Sequence, residues 1–228
     1  MLNRVEFEKS LNNAIGYWQE MTKKEIEEII GAEVAIMQGF DQKNPHHCYD
    51  LFTHILTTVD NLEYATDKAL AIAAFFHDIG KPNVARWKKD RLVFYGHAKN
   101  SAIITKNILE KMSFSAKEIE LILFYIVHHD DFISYILPEE VMKSTNEHQI
   151  VIDEKNIKKY IDKLVKQNYD FFCRYDVIYI LDNLLNLCVA DVKSQAPKVY
   201  MNDILVDSME HKLLKLNRIR ELINIGIK

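Results

Sequence analysis

Two adjacent ionisable residues, His77 and Asp78, follow an apolar run and are the strongest sign of chemistry in this chain. The run Ala69–Phe76 has apolar residues on every side of a 3.6-residue period, which predicts a buried helix ended by Gly80 and Pro82. Burying an ionisable pair is unfavourable unless both groups are satisfied, and a metal ion satisfies both together. The pair therefore indicates a metal site. The alternative is a hydrogen-bonded core histidine beside a helix-end carboxylate.

Two more ionisable residues lie on predicted helices at positions that face the protein interior, as the His-Asp pair does. His54 lies beside the helical apolar stripe of segment 49–59. Asp191 lies near the end of the apolar segment 177–195, two helical turns after Leu184. A neutral imidazole and a carboxylate both suit a divalent ion, and a buried carboxylate needs a partner. Both residues are therefore candidate ligands.

The elements that must position these residues are helices. The chain has only six glycines and four prolines, and its apolar positions recur at helical spacing. Capping boxes at Thr22–Glu25 and Ser115–Glu118 predict helix starts near residues 23 and 116, and Pro138 predicts another first turn. We expect an all-α, multi-helix bundle with few strands and the metal site between central helices.

Four segments in order along the chain, from about residue 41 to residue 194, resemble one known family. They are Asn44–Asp50 leading to His54, Ala73–Pro82, Phe94–Ala102 and Leu187–Asp191. Together they resemble the HD superfamily of metal-dependent phosphohydrolases, and in particular the HD region of bacterial CCA-adding tRNA nucleotidyltransferases. The resemblance implies an HD-domain helical bundle and assigns the core metal ligands to His54, His77, Asp78 and Asp191.

The same resemblance implies a second metal ion. Its ligands would be His97 and a histidine of the pair His128-His129, with the carboxylate of Asp78 as a bridge between the two ions. Adjacent helical residues diverge by about 100°, so one of His128 and His129 is favoured, and the family pattern favours His129. His128 is alternatively a solvent-facing or supporting residue. His97 is alternatively a helix N-terminal residue that binds substrate phosphate.

The ligand set predicts the cofactor and the reaction class. Nitrogen and oxygen ligands without cysteine favour one or two divalent ions from the group Mn²⁺, Fe²⁺, Co²⁺, Ni²⁺ and Mg²⁺ over a thiolate-rich zinc site. Such ions activate water and polarise a phosphoryl oxygen, which predicts hydrolysis of a phosphate ester. His77 and Asp78 are the expected catalytic pair, and Asp130 is the candidate that takes the proton of the water.

Three residues are candidates for binding the substrate. Lys81 follows the His-Asp pair at a distance suited to a phosphate at the mouth of the site, and Arg86 begins a basic loop that is alternatively an ordinary solvated loop. The sequence around Lys81 does not match a Walker motif. His47 belongs to a polar segment at the expected rim of the site, where it either orders substrate or helps to cap the following helix.

Composition indicates a small-molecule enzyme of the cytoplasm. The net charge of −4 offers no general attraction to a polyanion, so long nucleic acid is not expected as a partner. Cys48, Cys173 and Cys188 form neither a metal-finger pattern nor an even disulfide framework, which is typical of a reducing compartment. The start of the chain lacks the apolar core of a signal peptide, and no stretch is long enough to span a bilayer, so no membrane association is expected.

The predicted organisation has three parts. Residues 1–40 form a helical lead-in, too short for the head domain that nucleotidyl transfer to tRNA requires, so that activity is not expected. Residues 41–200 form the HD domain, in which 141–170 is a helical insertion, either a lid or a solvated surface pair. Residues 201–228 form an amphipathic C-terminal helix packed on the same domain or on a second copy in a homodimer.

Three functions remain open from sequence. The first is hydrolysis of a nucleotide or short oligonucleotide by a phosphatase or cyclic phosphodiesterase. The second is hydrolysis of another phosphorylated metabolite by the same machinery. The third is a catalytically silent module that binds a nucleotide. The complete set of core ligands favours a hydrolase.

Overall fold

The computed structural model describes residues 2–62, 67–143, 149–201 and 204–226, and most of them are helical. The prediction of an all-α fold is confirmed. None of the helices in these ranges is long and apolar enough to cross a membrane. The α-helices are α1 Arg4–Ser10, α2 Ala14–Trp18, α3 Lys23–Ile30, α4 Ala32–Ala35, α5 Leu51–Asp60, α6 Lys68–Phe76, α7 Lys81–Val84, α8 His97–Lys111, α9 Ala116–His128, α10 Glu154–Gln167, α11 Tyr169–Phe172, α12 Val177–Lys193 and α13 Ser208–Gly226.

The strands of the described residues are two to four residues long and form three separate two-stranded ladders. The first and third ladders are antiparallel hairpins, and the second pairs its strands in parallel. Ladders this short do not alter the fold class. The strands are β1 Arg86–Lys88, β2 Arg91–Val93, β3 Tyr135–Ile136, β4 Ile150–Val151, β5 Lys198–Met201 and β6 Ile204–Asp207.

Helix α6 lies at the centre of the bundle, where α5, α9 and α12 pack around it. Every residue from Leu70 to Phe76 is buried, as its uniform apolar pattern predicts. The helix ends at Phe76, earlier than expected. Residues 77–80 form turns, and Pro82 lies in the first turn of α7, where its missing N–H is tolerated.

The capping signals in the sequence correspond to real helix starts. In α3 and α9 the hydroxyls of Thr22 and Ser115 accept from the backbone N–H of Glu25 and Glu118, and both boxes are complete. These two predictions are confirmed. The turn that begins at Pro138 is a 3₁₀ helix that runs to Lys143.

The N-terminal helices pack against α6 through aromatic side chains. The ring of Phe7 lies 5.4 Å from the ring of Phe75, and the buried Trp18 lies 5.5 Å from the same ring. The Trp18 indole donates a 3.0 Å hydrogen bond to the hydroxyl of Ser10. Residues 2–40 are therefore largely helical and share the core of α6. That they form a separate lead-in stays a prediction.

The C-terminal helix begins later than the sequence pattern indicated. Residues from Ile204 form β6, and α13 starts at Ser208 because the Asp207 carboxylate accepts from the N–H of Glu210 and β6 pairs with β5. The helix then packs on α12 and α10. The predicted segments 141–170 and 201–228 include residues 144–148, 202–203 and 227–228, which lie outside the described ranges. A lid and a homodimer stay predictions.

Candidate metal centre

Six ionisable side chains from five helices meet beside the C-terminal end of α6. His54 lies within α5, and His77 and Asp78 come directly after α6. His97 is the first residue of α8, and His129 directly follows α9. Asp191 lies in the last turn of α12. The helix ends therefore place these groups, since four of the six lie where a helix begins or stops.

One set of groups, called here the inner group, contains His54, His77, Asp191 and the Oδ2 atom of Asp78. The Nε2 atom of His54 lies 3.1 Å from Asp191 Oδ1 and 3.4 Å from Asp78 Oδ2. The Nε2 atom of His77 lies 3.2 Å from Asp78 Oδ2 and 3.8 Å from Asp191 Oδ1. Two imidazoles and two carboxylates thus converge on one buried point.

A second set, called here the outer group, contains His97, His129, Asp130 and the Oδ1 atom of Asp78. Asp78 Oδ1 lies 3.1 Å from His97 Nε2 and 3.7 Å from His129 Nε2, and the two nitrogens are 3.1 Å apart. The carboxylate of Asp130 lies 3.2 Å from His97 and 3.5 Å from His129. The two oxygens of Asp78 therefore face different groups, as a bridging carboxylate requires.

Each of the four imidazoles is oriented by a hydrogen bond at its other nitrogen. A backbone carbonyl that accepts from Nδ1 fixes the tautomer and leaves the Nε2 lone pair directed at the cluster. Three of the four carbonyls lie three residues before the histidine, near helix or turn ends. The pairs are His54 with Ser194 at 3.3 Å, His77 with Ala74 at 2.7 Å, His97 with Phe94 at 3.0 Å and His129 with Ile126 at 2.7 Å.

The inward-facing atoms lack hydrogen-bond partners, which is the observation that tests the fit of a metal ion. His54 Nε2, His77 Nε2, Asp78 Oδ1 and Asp191 Oδ1 are buried and unsatisfied. Buried polar atoms are rarely left without a partner. A mixed nitrogen and oxygen donor set suits a divalent cation, and the triads His54, His77, Asp78 and Asp78, His97, His129 each converge within 4.8 Å. The residues present fit one or two such ions.

Neighbouring charges shift the pKa values of several groups in the cluster. Although burial favours the neutral imidazole, Asp191 and Asp78 raise the pKa of His54 to about 9. In the same way Asp130 and Asp78 overcome burial and raise the pKa of His129 to about 10. Burial opposes ionisation of Asp78, but Lys81 and His77 hold its pKa well below the usual range. The carboxylates therefore stay ionised, and the protons that a metal ion displaces come from imidazoles.

Lys81 belongs to this cluster rather than to its mouth. Its ammonium lies 2.6 Å from Asp78 Oδ2 and donates a 2.9 Å hydrogen bond to Gln42. The side chain is buried because the turn after α6 folds back, with the N–H of Lys81 donating to the carbonyl of Asp78. This differs from the expected position at the mouth of the site.

Gly80 allows the turn after α6 to pack directly on the start of α8. A Cβ atom at this position would lie 2.5 Å from the nitrogen of Ser101 and 2.7 Å from the carbonyl oxygen of His97. The N–H of Gly80 donates a 2.9 Å hydrogen bond to the Ser101 hydroxyl. The glycine therefore brings Asp78 within reach of His97, and it does not end a helix as the sequence suggested.

His128 points away from the cluster. Its Nδ1 atom lies 2.7 Å from Asp131 Oδ2, and its ring lies 4.5 Å from the ring of Phe124. The helical turn that directs His129 inward rotates its neighbour by about 100°. Of the two candidates, the structure brings His129 to the other ligands and leaves His128 outside.

The two remaining candidates for substrate binding lie in different settings. Arg86 is on the exposed strand β1, away from the described contacts of the cluster. The ring of His47 lies 5.1 Å from the ring of His54, and burial together with the charge of Lys81 lowers the pKa of His47 to about 2. His47 therefore borders the inner group as a neutral imidazole.

Sequence reasoning missed the residues that support the inner group. The hydroxyl of Ser194 lies 2.9 Å from His54 Nδ1 and 2.7 Å from the hydroxyl of Thr58. Gln195 donates a 3.1 Å hydrogen bond to Asp191 Oδ2. The spacing of four residues between Asp191 and Gln195 was a signal for this contact, because such residues are neighbours on a helix surface.

Comparison with known proteins agrees with the geometry. The HD domain family matches residues 51–165, half of the chain, which includes five of the six converging residues and excludes Asp191. A CC-adding tRNA nucleotidyltransferase of Thermus thermophilus is 32% identical over 113 residues, covering 47% of this chain and 25% of that protein. The match thus spans about a quarter of the relative. The chain belongs to the HD domain family, a superfamily of metal-dependent phosphohydrolases.

Proposed function

We propose that this protein hydrolyses a phosphate ester of a nucleotide or short oligonucleotide. The observation that carries the proposal is Asp78, whose two oxygens face two separate groups of inward-directed imidazoles. Asp78 would then be a ligand to both ions if the site holds two, and two-metal sites are common in enzymes that cleave phosphate esters.

The two groups would hold different ions. His54, His77, Asp78 and Asp191 would hold the inner ion, and Asp78, His97 and His129 the outer one. Mn²⁺, Fe²⁺, Co²⁺, Ni²⁺ and Mg²⁺ are the ions that suit these donors. A bound ion of this kind lowers the pKa of water and polarises a phosphoryl oxygen.

Asp130 is the residue that we assign to proton transfer. Its side chain is 37% exposed, whereas that of Asp78 is 2% exposed, so Asp130 is the carboxylate of the outer group that solvent reaches. It lies beside His97 and His129 and lines the cleft that opens over the cluster. A carboxylate at this position accepts the proton of the attacking water and passes it to solvent.

The nucleotide class of substrate rests on the relative and on the charge of the chain. The relative is named for acting on tRNA, although the match covers a quarter of it. The net charge of −4 favours a small substrate over a long polyanion. A different phosphorylated metabolite is the second candidate, since the same donors serve any phosphate ester. The cytoplasmic location stays a prediction.

Metal analysis combined with an ester screen tests the proposal. The purified protein is analysed by elemental mass spectrometry, and hydrolysis of bis(p-nitrophenyl) phosphate and of nucleoside 2′- and 3′-monophosphates is measured with each divalent ion. We expect about one or two ions per chain and ion-dependent turnover.

His129→Gln is expected to lower both metal content and turnover, and His128→Gln serves as the matched control because its ring lies outside the cluster. A protein with no bound metal and no turnover with any ion would leave a nucleotide-binding module as the function.

A further inference from the structure

A cleft of about 110 Å³ lies between the candidate metal centre and the C-terminal helix α13. His129, Asp130 and Asp191 line its inner side, and Lys212 and Lys215 of α13 line the side towards that helix. Apolar side chains complete the wall, among them Phe132, Ile133 and Leu216. The cleft therefore joins the ligand atoms to a positively charged and partly apolar surface.

The two lysines reach the cleft together because they lie three residues apart on one face of α13. Both side chains are partly buried. The Lys212 ammonium donates a 2.6 Å hydrogen bond to the amide oxygen of Gln195, and the Lys215 ammonium donates a 2.9 Å hydrogen bond to the carbonyl of Tyr135. Both acceptors are neutral, and each ammonium retains further donors.

These lysines differ from Lys81, whose ammonium forms an ion pair with Asp78. Across the described parts of the chain, neither Lys212 nor Lys215 forms an ion pair. Burial lowers the pKa of both, although the charge of Asp191 acts against this for Lys212 and that of Glu140 for Lys215. Two partly desolvated cations without a paired carboxylate are favourable for an anion that enters the cleft.

We propose that Lys212 and Lys215 form a phosphate subsite that selects the dianionic group of a phosphomonoester and presents it to the metal centre. Two ammonium groups bind a dianion more strongly than the monoanion of a diester, because each ammonium interacts with the added charge. The apolar wall at Phe132 and Leu216 contacts the esterified group. This assignment rests on the proposed hydrolase function, for which it names the substrate class.

Gln195 connects the subsite to the inner group. It accepts from Lys212 and donates a 3.1 Å hydrogen bond to Asp191. Lys215 instead donates to the carbonyl of Tyr135, which is not a residue of the cluster. Substitution of Lys215 therefore tests the subsite without a direct effect on a metal ligand.

Calorimetric titration with two probes tests the subsite. Inorganic phosphate and the monoanion dimethyl phosphate are each titrated into the Mn²⁺-treated protein at pH 8. We expect Lys212→Met and Lys215→Met each to weaken phosphate binding about tenfold, since each removes one charged hydrogen bond, and to change dimethyl phosphate binding much less. Lys215→Arg should restore most of the phosphate affinity.

Arg218→Met is the matched control, because it removes one positive charge from an exposed position of the same helix. Metal content and circular dichroism are measured for every variant. Failure of the wild-type protein to bind phosphate, or unchanged phosphate affinity in a folded Lys215→Met protein with normal metal content, would overturn the subsite.

Hydrolysis of p-nitrophenyl phosphate and of bis(p-nitrophenyl) phosphate separates this inference from the proposed function. Lysine-dependent phosphate binding without hydrolysis of either ester would remove the hydrolase function and leave the subsite in place. Hydrolysis of the monoester with a KM that rises about tenfold in Lys215→Met and a nearly unchanged kcat would support both. Equal KM values in the variant and the wild type would remove the subsite alone.

Discussion

The inner and outer groups share Asp78 but differ in their access to solvent. In the inner group the side chains of His54 and His77 are at most 1% exposed and that of Asp191 is 15% exposed. In the outer group the exposed fractions are 2% for His129, 12% for His97 and 37% for Asp130. The inner imidazoles come from the central helices α5 and α6. The cleft is lined by His129 and Asp130 of the outer group and by Asp191 of the inner group. We therefore expect the buried imidazoles of the inner group to retain an ion and the exposed Asp130 of the outer group to meet the substrate.

The two groups also differ in the side-chain contacts that orient their candidate ligands. Ser194 and Gln195 bind His54 and Asp191 through side-chain hydrogen bonds at the end of α12. In the outer group, Asp130 contacts the imidazoles directly and also lines the cleft. Groups that orient a ligand raise its affinity for metal, and their loss lowers that affinity about 10- to 100-fold. The inner group is therefore expected to bind its ion more tightly.

Removal of Asp78 should give the largest effect, because both groups use this carboxylate. Asp78→Ala is expected to lose both ions and to lower ester hydrolysis more than about 100-fold, beyond the loss seen for supporting residues. The protein should stay folded, because α6 retains its apolar packing. Elemental mass spectrometry, circular dichroism and turnover check this, and a variant with full hydrolysis would remove the site assignment.

Extraction of metal by a chelator should separate the two groups. We expect two phases, with the ion of the exposed outer group leaving at least about ten times faster than that of the supported inner group. His129→Gln should abolish the fast phase and His54→Gln the slow phase. Stopped-flow measurement with a chromogenic chelator checks this. A single phase in the wild type that neither variant alters would contradict the distinction.

The raised pKa values of His54 and His129 make metal binding depend on pH. Both imidazoles must lose a proton to bind an ion, so the apparent affinity should rise between about pH 7 and the pKa values of about 9 and 10. Titration calorimetry in buffers of different ionisation enthalpy measures the released protons. Affinity that is constant over this range would show that neither imidazole releases a proton.

The same shifts predict the opposite trend for the stability of the metal-free protein. A folded-state pKa above the unfolded value of about 6.5 stabilises the fold at low pH, and this contribution is lost as the pH rises through the folded pKa. The melting temperature without metal should therefore fall from about pH 6.5 to pH 10. Differential scanning calorimetry with and without a chelator gives the comparison.

Gly80→Ala should give the smallest effect and act mainly on the outer group. The added methyl collides with the backbone of Ser101 and His97, so α8 must shift away from Asp78. We expect the free energy of unfolding to fall by about 1–3 kcal/mol. The ion of the outer group should bind more weakly, while the ion of the inner group is retained. Urea denaturation and the chelator assay measure both. Loss of the inner ion alone would contradict the expectation that Gly80 acts mainly on the outer group.

Local signals in the sequence predicted much of the fold and part of the site. The apolar period of α6, the capping boxes of α3 and α9, and the His-Asp pair are all contained in short segments, so they are visible before folding. Helix geometry predicted that only one of His128 and His129 would join the cluster. The family resemblance, rather than the geometry, favoured His129.

Features that depend on packing between distant segments could not be predicted in this way. Lys212 and Lys215 reach the cleft only because α13 packs on α12. The amphipathic pattern predicted that this helix packs on the same domain or on a second copy, but it did not indicate α12 as the partner. The close approach of Gly80 to Ser101 and the pairing of β6 with β5 also join separate stretches of chain. The sequence interpretation therefore took Gly80 as a helix end and began α13 too early.

The carbonyl contacts of His77, His97 and His129 have a consequence for the choice of ion. Each imidazole is oriented by a backbone carbonyl three residues earlier in the sequence. The direction of its Nε2 atom is therefore set without a bound ion. Such preorganisation leaves the donor atoms convergent when one ion departs and keeps the reorganisation needed to accept another small. We therefore expect the scaffold to set the positions of the donors and the supply of ions in the cell to decide which divalent ion binds there.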